Sequence, residues 1–245
     1  MSPRSSPATE TTTGATAEVG TAQTILTTLL RFSAHLLLLL PAFGPPFIPL
    51  ALSFLLPAAR WSPARIQTPR EILRIYTLYL PLMSLNGMLE AFFAATATPA
   101  DLSRQSWAMV LFSGAFLLSA GGLAGVLERP EAGLVWANCV NSLCRIAFTF
   151  RYAQAFFHRR GRTLGLGDVV PKAAVAAVVG ISAGLVRASS RINADGLPSL
   201  RALLRHVGVG GLLGLTCLAV MCVPPILWLE VHTRLTSRLV PLSGG

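Results

Sequence analysis

Long apolar stretches alternate with short polar connections along most of this 245-residue chain. At a rise of about 1.5 Å per residue, a helix needs about 20 largely apolar residues to cross bilayer hydrocarbon. Six stretches meet that length: 22–40, 71–96, 106–127, 132–157, 170–188 and 206–229. A seventh apolar stretch, 42–57, is shorter and carries four prolines, which remove backbone donors and clash with the preceding turn. It reads as a broken continuation of the first helix or as a membrane-surface helix. Residues 1–21 are rich in Ser, Thr, Ala and Gly and are predicted to be a disordered polar tail. A full-length apolar stretch follows them, so they do not read as a cleaved signal peptide. Residues 241–245 form a second short tail, leaving 22–240 as the transmembrane helical domain.

Composition supports the pattern. Hydrophobic residues make up 53% of the chain and charged ones 12%, with a mean hydropathy of +0.61. A soluble domain carries about a quarter charged residues. The fold class expected is therefore all-α, a polytopic transmembrane bundle. The net charge of +10 sits mostly in arginines between apolar stretches, without the interleaved aromatic residues that single-stranded nucleic acid needs. No nucleic-acid partner is expected. If the six helices alternate, eight basic residues face one side and nine the other, so the charges set no orientation. Glycines four apart (Gly121 and Gly125, Gly180 and Gly184, Gly210 and Gly214) allow close helix packing in lipid.

The chemistry is concentrated in polar residues inside apolar stretches. Asn138, Asn141 and Arg145 in LVWANCVNSLCRI (134–146) recur at steps of three and four, which places them on one helix face. Asn86 and Glu90 do the same in the second stretch, with Met83 on their stripe. A charged side chain at the bilayer centre costs about 2.5–3.5 kcal/mol on insertion scales. Glu90 and Arg145 are therefore expected to pair, or to share a polar cluster between the second and fourth helices. The stripe reads either as hydrogen-bonding glue between helices or as the lining of a water-filled cavity. Arg31 and His35 are polar within the first stretch, where Arg31 can snorkel to an interface. Arg151, Arg159 and Arg160 lie at or beyond the end of the fourth stretch and are expected to meet lipid headgroups.

Catalytic chemistry is poorly supported. No HExxH, GxSxG, P-loop or GxGxxG motif is present, and Asp101, Asp168 and Asp195 stand without carboxylate partners. A membrane transferase using loop carboxylates is the enzyme alternative. The four cysteines form no CxxC and have no histidine at zinc spacing, so they read as small buried hydrophobes. No metal and no cofactor is implied.

Three blocks in this order, YLPLMSLNGMLEAFFAATAT (79–98), SRQSWAMVLFS (103–113) and GLVWANCVNSLCRIAFTF (133–150), resemble the Rft protein family. FGPPF (43–47) also looks like that family and its wider superfamily of lipid-linked sugar flippases. The resemblance is strong over about residues 23–157 and continues to Leu239 in hydropathy. It implies a multi-pass protein of the endoplasmic-reticulum membrane built as one lobe of a two-lobed fold. The chain resembles the C-terminal half only, so a truncated sequence, or a second lobe or chain completing the cavity, is expected. The function implied is flipping of Man5GlcNAc2-PP-dolichol, a membrane lipid, from the cytosolic to the lumenal leaflet for N-glycosylation. Under that reading Arg145 would meet diphosphate and Asn86, Asn138 and Asn141 would meet sugar hydroxyls, with Glu90 holding or gating Arg145. The alternative is a non-transporting scaffold or accessory factor of the same pathway.

Overall fold

A computed structural model describes residues 7–56, 63–126, 130–191 and 204–221. The expected tail at 241–245, residues 222–229 of the sixth stretch and Asp195 lie outside the described residues. All regular structure among the described residues is helical, and the chain is an all-α helical membrane bundle. It divides into two compact units, Met1–Pro171 and Lys172–Gly245.

The first unit holds α1 (Pro7–Leu55), α2 (Pro63–Thr96), α3 (Pro99–Val126) and α4 (Pro130–His158). Each helix starts at a proline, whose fixed φ suits the first turn and whose missing N–H would have no partner there. At the start of α3 the capping is reciprocal. The Asp101 amide donates to Thr98 Oγ1 at 3.3 Å, and the Thr98 amide donates to Asp101 Oδ2 at 3.1 Å. α4 stops at Gly161, which takes a φ of 72°. The Arg162 amide then reaches back to the Phe157 carbonyl at 3.0 Å and the Gly161 amide to that of His158 at 3.1 Å, a Schellman closure.

The main packing contacts run α1–α2, α2–α4 and α4–α3, so α2 and α4 lie side by side although α3 separates them in sequence. One buried cluster joins Leu26 and Leu30 of α1, Leu85 and Leu89 of α2, and Phe156 and Phe157 of α4. A second joins Ile75 and Leu82 of α2 to Val135 and Cys139 of α4. After α4, the chain passes a 3-10 turn (Leu166–Asp168) and is fastened to α1. Gln23 Nε2 donates to the Thr163 carbonyl at 2.7 Å, and Arg31 Nε donates to the Asp168 carbonyl. Arg31 is thus held by the backbone of the segment that follows α4.

Two expectations for α1 need correction. Residues 7–21 are helical, not a disordered tail; residues 1–6 lie outside the description. Extending a helix already nucleated by the apolar segment fixes one residue per added hydrogen bond, far cheaper than starting one. The hydroxyls of Thr21, Thr24 and Thr28 donate to carbonyls one turn back. Residues 42–55 also do not break from the first helix: α1 runs through Pro41, Pro45, Pro46 and Pro49 to Leu55, and Pro57 lies outside the described residues. Each proline removes one backbone donor, yet a helix still satisfies more of the backbone than any unwound alternative facing lipid. At 49 residues α1 is roughly 70 Å long, more than twice the hydrocarbon thickness of about 30 Å.

Four helical segments are long and apolar enough to cross a membrane: Ala17–Leu55, Arg65–Thr96, Pro99–Val126 and Leu204–Met221. α4 matches them in length but not in apolarity, because it carries the polar stripe. α3 buries no residue and exposes Trp107, Leu111, Leu117 and Leu118, a surface suited to hydrocarbon. In the second unit, α5 (Ala173–Arg191) and α6 (Leu204–Met221) meet where His206 Nδ1 lies 3.4 Å from Ser189 Oγ.

Close approaches fall at Gly44 and Gly133 rather than at Gly121, Gly125, Gly180, Gly184 or Gly214. A Cβ on Gly133 of α4 would lie 3.2 Å from backbone atoms of Leu123 and Ala124 in α3, whereas Gly121 and Gly125 face open space. Gly133→Val is therefore expected to destabilise the α3–α4 pair by about 1–3 kcal/mol, and Gly125→Ala to stay within about 0.5. Thermal unfolding of the purified chain in detergent checks both. In the same assay Thr98→Ala should cost about 1 kcal/mol through loss of the α3 cap, and Thr98→Ser should recover most of it.

Candidate functional site

α2 and α4 each present a polar residue to the other where apolar packing would otherwise continue. Arg145 Nη2 lies 2.5 Å from Glu90 Oε1, and Arg145 Nε donates to the same oxygen at 2.7 Å. The neighbouring turns fix both backbones. Leu89 and Phe93 are buried on either side of Glu90, and the buried Thr149 hydroxyl donates to the Arg145 carbonyl at 2.8 Å. The side chains keep 25% exposure at Glu90 and 31% at Arg145, so the pair is open on one side. Among the described residues, Glu90 Oε2 and Arg145 Nη1 have no further partner. The pair neutralises two charges that hydrocarbon would penalise, and it leaves a donor and an acceptor for a polar ligand.

The three asparagines do not join the pair. Asn138 Nδ2 donates to the Leu134 carbonyl of its own helix at 3.1 Å. Asn141 is half-buried, with no hydrogen bond among the described residues. Asn86 is 8% exposed, and its Oδ1 is buried without a hydrogen-bond partner among them. Besides the Glu90–Arg145 pair, bonds between helices are made by residues outside the polar stripe. Ser33 Oγ of α1 lies 3.0 Å from Ser84 Oγ of α2, and the Tyr152 hydroxyl of α4 donates to Thr96 Oγ1 of α2 at 3.3 Å.

A cavity of about 580 Å³ opens one turn farther along, where α2 and α4 end and α3 begins. Its wall is aromatic: Phe93 of α2, Phe112 of α3, and Phe148 and Tyr152 of α4. Phe93 and Tyr152 stack edge-on at 4.5 Å between ring centres. Its polar members are Asp101 and Arg104 of α3, and Arg151 and Arg159 at the end of α4. Asp101 Oδ1 lies 3.9 Å from Arg104 Nη1, and Arg159 is also within electrostatic reach of that carboxylate. None of Asn86, Glu90, Asn138, Asn141 and Arg145 lines this cavity.

The three arginines expected at headgroups therefore separate. Arg151 and Arg159 enter the cavity, whereas Arg160 folds back on its own helix. There Arg160 donates to the Phe156 carbonyl at 3.0 Å and lies 3.5 Å above the Phe156 ring. Arg104 and the aromatic wall are not singled out by the apolar–polar pattern. The signal available is the α4 register Cys144, Phe148, Arg151, Ala155 and Arg159, steps of three and four that put aromatic and basic residues on one face. Among the described residues, no three His, Cys, Asp or Glu side chains are grouped to hold a metal.

Comparison with known proteins agrees with this architecture. The family profile described as "Rft protein" matches residues 8–225. The chain is 35% identical over 135 residues to the Man(5)GlcNAc(2)-PP-dolichol translocation protein RFT1 of Eremothecium gossypii, covering 55% of this chain and 24% of that protein. It is 28% identical over 186 residues to the protein of the same name in Kluyveromyces lactis, covering 75% and 33%. The Xenopus tropicalis protein of that name is 27% identical over 195 residues, covering 80% and 35%. The chain thus spans between a quarter and about a third of the length of these relatives. No solved structure matches it significantly. With the helical membrane bundle in place and the profile covering most of its length, the chain belongs to the Rft protein family.

Proposed function

We propose that this chain forms part of a translocation protein for a lipid-linked oligosaccharide, Man5GlcNAc2-PP-dolichol, in the endoplasmic-reticulum membrane. The observation that carries the reading is the family match over residues 8–225, because the relatives are named as translocation proteins for that lipid. The relatives are longer, so the translocating cavity is completed by a second lobe, in the same polypeptide or in another. Movement is from the cytosolic to the lumenal leaflet, in support of N-glycosylation.

The local chemistry suits this role. A diphosphate and its sugars must cross about 30 Å of hydrocarbon, and need polar partners along the way. Arg145 offers Nη1 to a phosphate oxygen, while Glu90 holds the guanidinium in place and offsets its charge when no cargo is present. Asn86, with its Oδ1 unused, would accept a hydrogen bond from a sugar hydroxyl that comes within reach. Asn138 and Asn141 are secondary candidates for the same contact. Such groups translocate rather than transform their cargo, and the chain is assigned no catalytic residue.

The test places the aligned segment of this chain in the Kluyveromyces lactis relative and expresses the chimera in yeast depleted of its own relative. N-glycosylation of a secreted reporter is the readout. The chimera should sustain glycosylation, and Arg145→Ala or Glu90→Gln should lower it to background while the protein stays inserted. Exchanging the charges (Glu90→Arg with Arg145→Glu) should keep the protein inserted but not restore glycosylation. Recovery of glycosylation by the exchange would make the pair a packing element and remove it from the site.

A further inference from the structure

We infer that the cavity between the start of α3 and the end of α4 is a binding site for a lipid with a dianionic phosphate head. The inference stands whether or not the chain takes part in translocation.

Charge comes first. Arg104, Arg151 and Arg159 meet one carboxylate, Asp101, which leaves a net of two positive charges around the cavity. Asp101 does not neutralise more than one of them, and its Oδ2 already accepts bonds from the Thr98 amide and hydroxyl as the cap of α3. Arg104 reaches Asp101 only at 3.9 Å and is 78% exposed. Among the described residues, the guanidiniums of Arg151 and Arg159 make no hydrogen bond or ion pair. A phosphodiester headgroup carries one negative charge, whereas a diphosphate esterified at both ends, or a phosphate monoester, carries about two. The dianionic head is the better match, and planar guanidiniums bind phosphate oxygens in a two-pronged geometry.

Shape and apolarity identify the rest of the ligand. The cavity of about 580 Å³ is too large for a phosphate alone, and most of its lining is aromatic or aliphatic. On α3, the exposed apolar residues Trp107 and Leu111 fall in sequence between the lining residues Arg104 and Phe112. A bound molecule can therefore place its head among the arginines and run its tail past Phe112 onto the lipid-facing surface of α3. The position agrees: α2 and α4 end here and α3 begins, as a headgroup level requires. Arg160 supplies an internal control, being one residue from Arg159 yet turned onto Phe156 and away from the cavity.

The test uses the full chain, purified into phosphatidylcholine nanodiscs. Binding is measured for geranylgeranyl diphosphate, short-chain phosphatidic acid, short-chain phosphatidylcholine and inorganic pyrophosphate. Geranylgeranyl diphosphate, phosphatidic acid, or both should bind at least about tenfold tighter than phosphatidylcholine and than pyrophosphate; which of them binds tighter identifies the source of the head. Arg151→Gln and Arg159→Gln should each weaken lipid binding by about tenfold, and Arg160→Gln should leave it unchanged. Phe148→Leu should weaken the lipids and not pyrophosphate. Helix content by circular dichroism confirms that each variant is folded. Equal affinity for phosphatidylcholine, pyrophosphate binding as tight as the lipids, or an Arg160→Gln effect equal to that of Arg151→Gln would each overturn the site.

Discussion

Hydrocarbon offers no hydrogen bonds, so every polar group placed in a spanning helix must find its partner in the protein or at the membrane edge. This constraint explains most of the first unit. α1 keeps its helix through four prolines because an unwound segment would leave more backbone unsatisfied than the prolines do. The threonines along its first half return their hydroxyls to carbonyls one turn back. Ser33 and Ser84 bond to one another across α1 and α2. Glu90 and Arg145 answer the same demand at higher stakes, since either charge alone would have to be neutralised or hydrated.

The pair also accounts for where α4 sits. α4 is the long helix of the first unit that is not apolar enough to count as a span by composition, and it is packed between α2 and α3. Its polar stripe is thereby kept beside protein, while α3, with no buried residue, takes an apolar surface suited to lipid. A salt bridge of this kind is a weak source of net stability when compared with well-packed apolar residues. The pair is open on one side, and none of the asparagines bonds across to a neighbouring helix among the described residues.

Two polar features therefore lie in series along the α2–α4 seam. Arg145 lies midway along α4 and Glu90 in the last two turns of α2, and the arginine-rimmed cavity lies farther toward the end where α2 and α4 stop. The caps and stops that place that end are local: Thr98 with Asp101 starts α3, and Gly161 terminates α4. Arg159 and Arg160 both lie just before that stop yet differ in fate: Arg159 lines the cavity, and Arg160 folds onto Phe156.

Much of this was legible in the sequence. The length of the apolar stretches decided the helical class, and steps of three and four put Asn138, Asn141 and Arg145 on one face and Asn86 with Glu90 on another. The energetic cost of lone charges in lipid was enough to pair Glu90 with Arg145. Other features were not legible, because periodicity assigns a residue to a face but not to a neighbour. Only tertiary packing decided that Gly133 rather than Gly121 or Gly125 marks the close contact with α3, and that Arg104 joins Arg151 and Arg159 across two helices. The fate of residues 7–21 was equally hidden, since composition reports what a segment can bury, whereas a helix already nucleated next to it sets the cost of ordering it. Local pattern fixed which residues could not face lipid; the arrangement of the helices chose what each of them met instead.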